Sequence, residues 1–296
     1  MKPPTSENPP EITDTSTHLV QRKPRLHPQV YLLILGGLSV VITIIPLIFL
    51  IVSSLAGPWP FPQLLPQTWT ARGQRFMFQN LDGIIQSLGS TLGYSIGTVL
   101  LALGWTWLPA KFLAYNQFRL KPLLESLVLA PAVLPTITFA PGSYQILLRL
   151  GLADTVFGIM IMLSVIGSPY LLRSLKIGFI NYPRHQTDTA LNLGASRAQV
   201  FFQIELPALL PSIFSGATLV FLTGFSEYFL VFLIGGGIVP SFTGYLVPFL
   251  TSGDQAISGA LTQWFLILPL ILLGIQELIL QRYYGKRKKI YETQST

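Results

Sequence analysis

Cysteine is absent from the 296 residues, which removes disulfides, thiolate metal sites and lipid anchors on Cys. Charge is scarce as well: Asp, Glu, Lys and Arg make up 10% of the chain, against roughly a quarter in soluble domains. The three histidines, His18, His27 and His185, fall outside the long apolar runs, so a Ser-His pair inside a bilayer is not available. The string Gly235-Gly236-Gly237 lacks the Lys and Ser/Thr of a phosphate-binding loop, and no such loop occurs elsewhere. No catalytic set, metal site or cofactor is expected, and no repeat of 20 to 50 residues is visible.

What remains is apolar. Half the residues are hydrophobic, and charge-free stretches run from Pro28 to Ala71, Gly83 to Ala110, Ser126 to Leu148, Thr155 to Leu172, Leu206 to Ser226 and Gln255 to Gln276. A helix needs about 20 apolar residues to cross the hydrocarbon core, and five of these runs comfortably supply them; Thr155 to Leu172 is at the short end. The reading is an all-α membrane protein of six spans: Val30 to Leu55, Ile84 to Leu108, Leu123 to Ala140, Val156 to Leu172, Leu209 to Phe232 and Ile257 to Leu280. Barrel strands would be short and alternating.

Of the 19 Lys and Arg, only Arg72, Arg75 and Arg149 lie in the odd-numbered connections. The positive-inside rule therefore puts both termini in the cytoplasm. The net charge of +7 reports this orientation and contact with membrane lipid, not nucleic-acid binding. Residues 1–28, rich in Pro, Ser and Thr, read as a disordered cytoplasmic arm, 29–283 as the membrane domain and 284–296 as a basic cytoplasmic tail. The first apolar run is too long for a signal-peptide core and reads as a retained helix.

One polar island interrupts the apolar pattern, at about residues 181–207. Asn181 can cap and Pro183 can start a short helix ending near Leu193, where Gly194 supplies a left-handed stop. Ser196 and Gln199 have capping-box spacing, and Val200, Phe201 and Ile204 share a face before Pro207 opens the next span. The expected product is a helix-turn-helix elbow on the inner face. Glu227 is the only charge between Glu205 and Asp254. Inside the fifth span it is a candidate pathway residue, with an interfacial carboxylate as the plain alternative.

Asp188-Thr189-Ala190, three residues, Gly194, nine residues, Ile204, one residue, then Leu206-Pro207: this spacing resembles the cytoplasmic loop of the permease subunits of binding-protein-dependent ABC importers. That family reads Glu-Ala-Ala at the head, so Asp188 and Thr189 depart from it, while the glycine and both spacings are kept. Gly224-Phe225-Ser226-Glu227-Tyr228 is similar to the fifth-span segment of the spermidine/putrescine, sulfate, iron and thiamine branch.

The resemblance implies a type I importer permease fold in the bacterial inner membrane, whose elbow is a coupling helix seated in a separate ABC ATPase present in two copies. It further implies a second permease copy, identical or a sister chain, and a periplasmic or extracellular solute-binding protein. Carried over by position, Asp188, Thr189, Ala190, Gly194, Ala195, Ser196, Arg197, Phe201, Ile204, Leu206 and Pro207 belong to the ATPase-coupling element and Glu227 to the translocation pathway. The competing reading is an ATP-independent six-helix channel or secondary transporter, and a purely structural membrane subunit is a third.

Overall fold

A computed structural model describes residues 28–59, 62, 63 and 65–294, with side chains for residues 33, 35–59, 62, 63 and 65–282. Of the expected arm at 1–28, residues 1–27 lie outside the described residues, and Pro28 is the first residue of a helix. The chain divides into two units, residues 1–48 and 49–296. The first is represented by most of α1 (Pro28–Leu55), an apolar helix whose Thr43 hydroxyl donates to the Ser39 carbonyl at 2.9 Å. Such back-bonding satisfies a hydroxyl that a bilayer cannot hydrate.

The described residues of the second unit contain the last residues of α1 and eleven further α-helices. These are α2 (Arg72–Gln79), α3 (Leu81–Tyr115), α4 (Lys121–Val133), α5 (Thr136–Arg149), α6 (Val156–Asn181), α7 (Arg184–Asn192), α8 (Arg197–Val200), α9 (Leu206–Ser226), α10 (Phe229–Ile234), α11 (Phe242–Thr251) and α12 (Gln255–Gln294). A π-helical segment, Phe201–Glu205, joins α8 to α9. Among the described residues there is no strand, only an isolated bridge between Ala56 and Trp69.

Among the described residues, five helical stretches are long and apolar enough to cross a membrane: Leu35–Leu55, Leu81–Tyr115, Val156–Asn181, Arg197–Ser226 and Gln255–Arg282. The third expected span, Leu123 to Ala140, is not one straight helix. It breaks between α4 and α5 with a bend of 99°. Leu134 is extended there, at ψ 131°, because Pro135 follows and disfavours helical backbone at the residue before it. Each half has only 13 or 14 residues, so six spans are reached only by counting the bent pair as one.

Further boundaries differ from the sequence reading. The fifth span was expected to reach Phe232, but α9 stops at Ser226, and Glu227 is extended at its end. At the other end this span begins at Arg197, since α8, the π segment and α9 run on without a break. Asn181 was expected to cap the elbow; it is instead the last residue of α6.

The centre is formed by α3, α6 and α9. Leu171, Leu172, Leu175 and Phe179 of α6 pack with Leu209 and Val220 of α9 and Ala102 and Ala110 of α3. Lipid is as apolar as these side chains, so close approach, not water exclusion, must hold the helices together. Gly216 permits it: a Cβ there would lie 2.6 Å from Leu171 Cδ1 and 2.9 Å from Leu171 Cα. Ser174 adds a hydrogen bond to the Ser212 carbonyl at 2.7 Å. Buried hydroxyls along α3 are mostly satisfied within the helix, as in Thr98 to Tyr94 O and Thr106 to Ala102 O. On α12, Gln276 accepts from Thr218 Oγ1 at 2.7 Å and donates to Phe214 O, tying the last helix to α9.

Candidate functional site

The elbow is built by local rules. Tyr182 and Thr187 share a hydroxyl hydrogen bond of 2.7 Å, which fixes the entry to α7. At the other end of α7, Ala195 N–H donates to Ala190 O and Gly194 N–H to Leu191 O. These two bonds are the Schellman pattern, which needs a left-handed residue after the cap. Gly194 supplies it with φ +89°.

Ser196 then starts α8. Gln199 N–H donates to Ser196 Oγ at 3.3 Å, and Ser196 N–H donates to Gln199 Oε1 at 2.8 Å, the reciprocal capping box that the spacing predicts. Ser196→Ala is expected to cost the elbow about 1 kcal/mol. The measurement is amide exchange at Gln199, which should quicken by about fivefold.

The junction to α9 is less regular. Leu206 N–H donates five residues back to Phe201 O, and Pro207, having no N–H, cannot resume the four-residue pattern at the next position. Turns of this kind are concentrated at functional sites.

α3 grips this junction along one face. Trp107, Lys111 and Tyr115 are four residues apart, so they stack on the same side of the helix. Trp107 meets Phe201 edge-on with ring centroids 5.5 Å apart, and it packs in the same way on Phe179. Lys111 Nζ is 2.5 Å from Glu205 Oε1. Tyr115 lies under the Arg184 guanidinium, 3.5 Å from ring centroid to Cζ. Between them is a cavity of about 360 Å³ lined by Lys111, Tyr115, Tyr182, Arg184, Thr187, Asp188 and Glu205. The Glu205 side chain is 7% exposed, so its charge depends on Lys111 for compensation.

Beyond this face the elbow is open. Asp188, Thr189, Gly194, Ser196 and Arg197 are exposed, while Ala190 and Ala195 are partly buried. Leu193 is 83% exposed at the tip, and Leu191 and Phe202 are exposed beside it. Phe201 and Ile204 turn inward against the α3–α6–α9 core, and Pro207 is buried.

Glu227 is elsewhere, at the far end of α9, about 30 Å along a helix of 21 residues. Its Oε1 accepts from Leu230 N–H at 3.1 Å, which starts α10, and its carbonyl accepts from Thr243 Oγ1. Among the described residues no ion pair reaches it.

Residues 110–290 match the family described as binding-protein-dependent transport system inner membrane component. The chain belongs to this family. Among its relatives is the molybdate/tungstate transport system permease protein WtpB of Pyrococcus abyssi, 29% identical over 152 residues, which cover 49% of this chain and 58% of that protein. The inner membrane ABC transporter permease protein YnjC of Escherichia coli is 26% identical over 205 residues, 68% of this chain and 37% of that one. A probable sulfate transport system permease protein of Nephroselmis olivacea is 28% identical over 160 residues, 50% of this chain and 56% of that one. The matches thus span less than two thirds of each of these relatives.

A crystal structure of a bacterial ABC transporter involved in the import of the polysaccharide alginate shares the fold, with a TM-score of 0.63 over 88% of this chain and all of that one, at 16% identity. The family's fold, a type I ABC importer permease, and the apolar helices make this a multi-pass inner-membrane protein.

The inner-membrane component therefore holds its motif residues, Asp188 to Pro207, in one continuous element, and Glu227 apart from them. The sequence reading missed Trp107, Lys111, Tyr115, Arg184 and Glu205 as members of the site. A signal for them exists: Glu205 is the sole charge between Arg197 and Glu227, and Trp107, Lys111 and Tyr115 follow helical spacing.

Proposed function

We propose that the chain is a permease subunit of a binding-protein-dependent importer, one of two that enclose the solute path. Its elbow is the coupling element, docking on a cytoplasmic ATPase that binds and hydrolyses ATP. The observation that carries this reading is the motif spacing realised as two rigid, capped pieces around Gly194, with apolar Leu191 and Leu193 facing outward. A capped helix transmits displacement where a loose loop would absorb it. The basic residues beside the elbow support a cytoplasmic placement for it and for both termini.

Glu227 lines the path at the point where α9 stops, beyond the reach of the ATPase. A solute-binding protein docks on the opposite face and delivers the solute. The relatives named for molybdate/tungstate and sulfate transport make small tetrahedral oxyanions the first solutes to test.

The test is to tag the chain, extract it gently from its native host and identify its companions by mass spectrometry. A P-loop ATPase and a solute-binding protein are expected. Recovery of the chain alone, repeated after crosslinking, would sink the reading.

A further inference from the structure

Resting on that reading, the geometry at the base of the elbow assigns a role to a pair of residues that the motif does not contain. We infer that Lys111 and Glu205 form an ionic clamp that makes the π segment move as one piece with α3, so that a push on the elbow reaches the membrane helices.

A mechanical weakness lies at the base of the elbow. The rod from Arg197 to Ser226 is continuous, but its register is interrupted at Phe201–Glu205, where a hydrogen bond runs five residues back. A π segment has poorer hydrogen-bond geometry than the helix on either side and is the place where a displacement entering at α8 would be lost. Both of its ends are held by α3. Trp107 packs edge-on against Phe201, its first residue, and Lys111 binds Glu205, its last, at 2.5 Å. One turn further on, Tyr115 holds Arg184, the first residue of α7, so the incoming arm of the elbow is fastened to the same face.

The three contacts differ in kind. Two are ring contacts, which tolerate sliding, whereas the third is directional and joins opposite charges. Glu205 is 5% exposed overall, so separating the pair would leave a buried carboxylate without compensation. The clamp is therefore the contact least able to slip, and Lys111 and Glu205 are positioning residues for coupling. Because they lie 94 residues apart in sequence, the clamp also joins two spans that no connection links directly.

The test uses the absence of cysteine, which allows one thiol to be introduced at Ser226→Cys, at the far end of α9. The complex with its co-purifying ATPase is reconstituted in lipid, and maleimide labelling at position 226 is timed with and without ATP and vanadate. A nucleotide-dependent change of about tenfold is expected in the parent, within the usual range of coupling between sites. Lys111→Met and Glu205→Gln should each bring it close to none. Lys111→Arg should keep it, and the exchange Lys111→Glu with Glu205→Lys should restore it, while membrane yield and ATPase recovery stay at the parent's level in every variant; a pair that merely supports folding would lower the yield of the single variants instead.

A full response in Lys111→Met overturns the clamp. So does loss in both single variants without recovery in the exchange. Absence of any response in the parent, or of the ATPase from the preparation, overturns the importer reading, and the clamp with it.

Discussion

Gly194→Glu is expected to leave the membrane bundle folded and to strip the chain of the ATPase that the proposed function assigns to it. Two contributions can be separated at this position. The backbone has φ +89°, so any side chain costs about 1–2 kcal/mol there. An added Cβ would meet nothing within 4 Å, so the space itself is open. Gly194→Ala therefore reports the backbone cost alone and should weaken ATPase recovery only in part. Glutamate adds a charge beside Leu193, on the apolar tip that the docking reading requires. The check is the amount of ATPase recovered per permease, at equal membrane yield, for parent, alanine and glutamate. Equal recovery in all three would remove the elbow from the docking surface.

Gly216→Ala should destabilise the chain where Gly89→Ala does not. At Gly216 the new methyl would lie 2.9 Å from the Leu171 backbone and 3.0 Å from Ser174 Cβ. A backbone atom cannot step aside, so α6 and α9 must part, and overpacking of this kind costs about 1–3 kcal/mol. At Gly89 nothing lies within 4 Å, and replacing a helical glycine by alanine is favourable by up to about 1 kcal/mol. Heating both variants in detergent and following loss of the monodisperse particle should give a lowered midpoint for Gly216→Ala only. A lowered midpoint for Gly89→Ala alone would show that the close approach of α6 and α9 is not what holds the bundle.

How much of this was legible in the sequence depends on distance along the chain. The spans were visible because a bilayer demands long charge-free runs, and the elbow was visible because a Schellman turn and a capping box are made by residues within five positions of one another. Glycine at 194 and the Ser196–Gln199 spacing carry their geometry locally. The break at Leu134 was written in Pro135, but proline inside an apolar run is compatible with a mild kink as well as with a 99° turn, and neighbouring helices decide between them. The end of α9 at Ser226 was missed for a related reason: Phe229 to Ile234 is as apolar as a span, and only the tertiary contacts of Glu227 with Leu230 and Thr243 show a separate short helix. Lys111 and Glu205 were not picked out in the sequence because nothing local pairs residues so far apart.

The break between α4 and α5 has a consequence for how the two faces of the membrane communicate. α4 is fastened on the elbow side, where Glu125 accepts from Lys176 of α6 at 2.6 Å. α5 belongs to a different group: Ala140 and Leu147 pack with Leu230, Val231 and Ile234 of α10. A straight helix would be a rigid strut between these groups and would force them to tilt together. On the importer reading proposed above, the corner at Leu134 and Pro135 is a joint that lets one end swing while the other stays seated, so that two mouths of a solute path need not open at once.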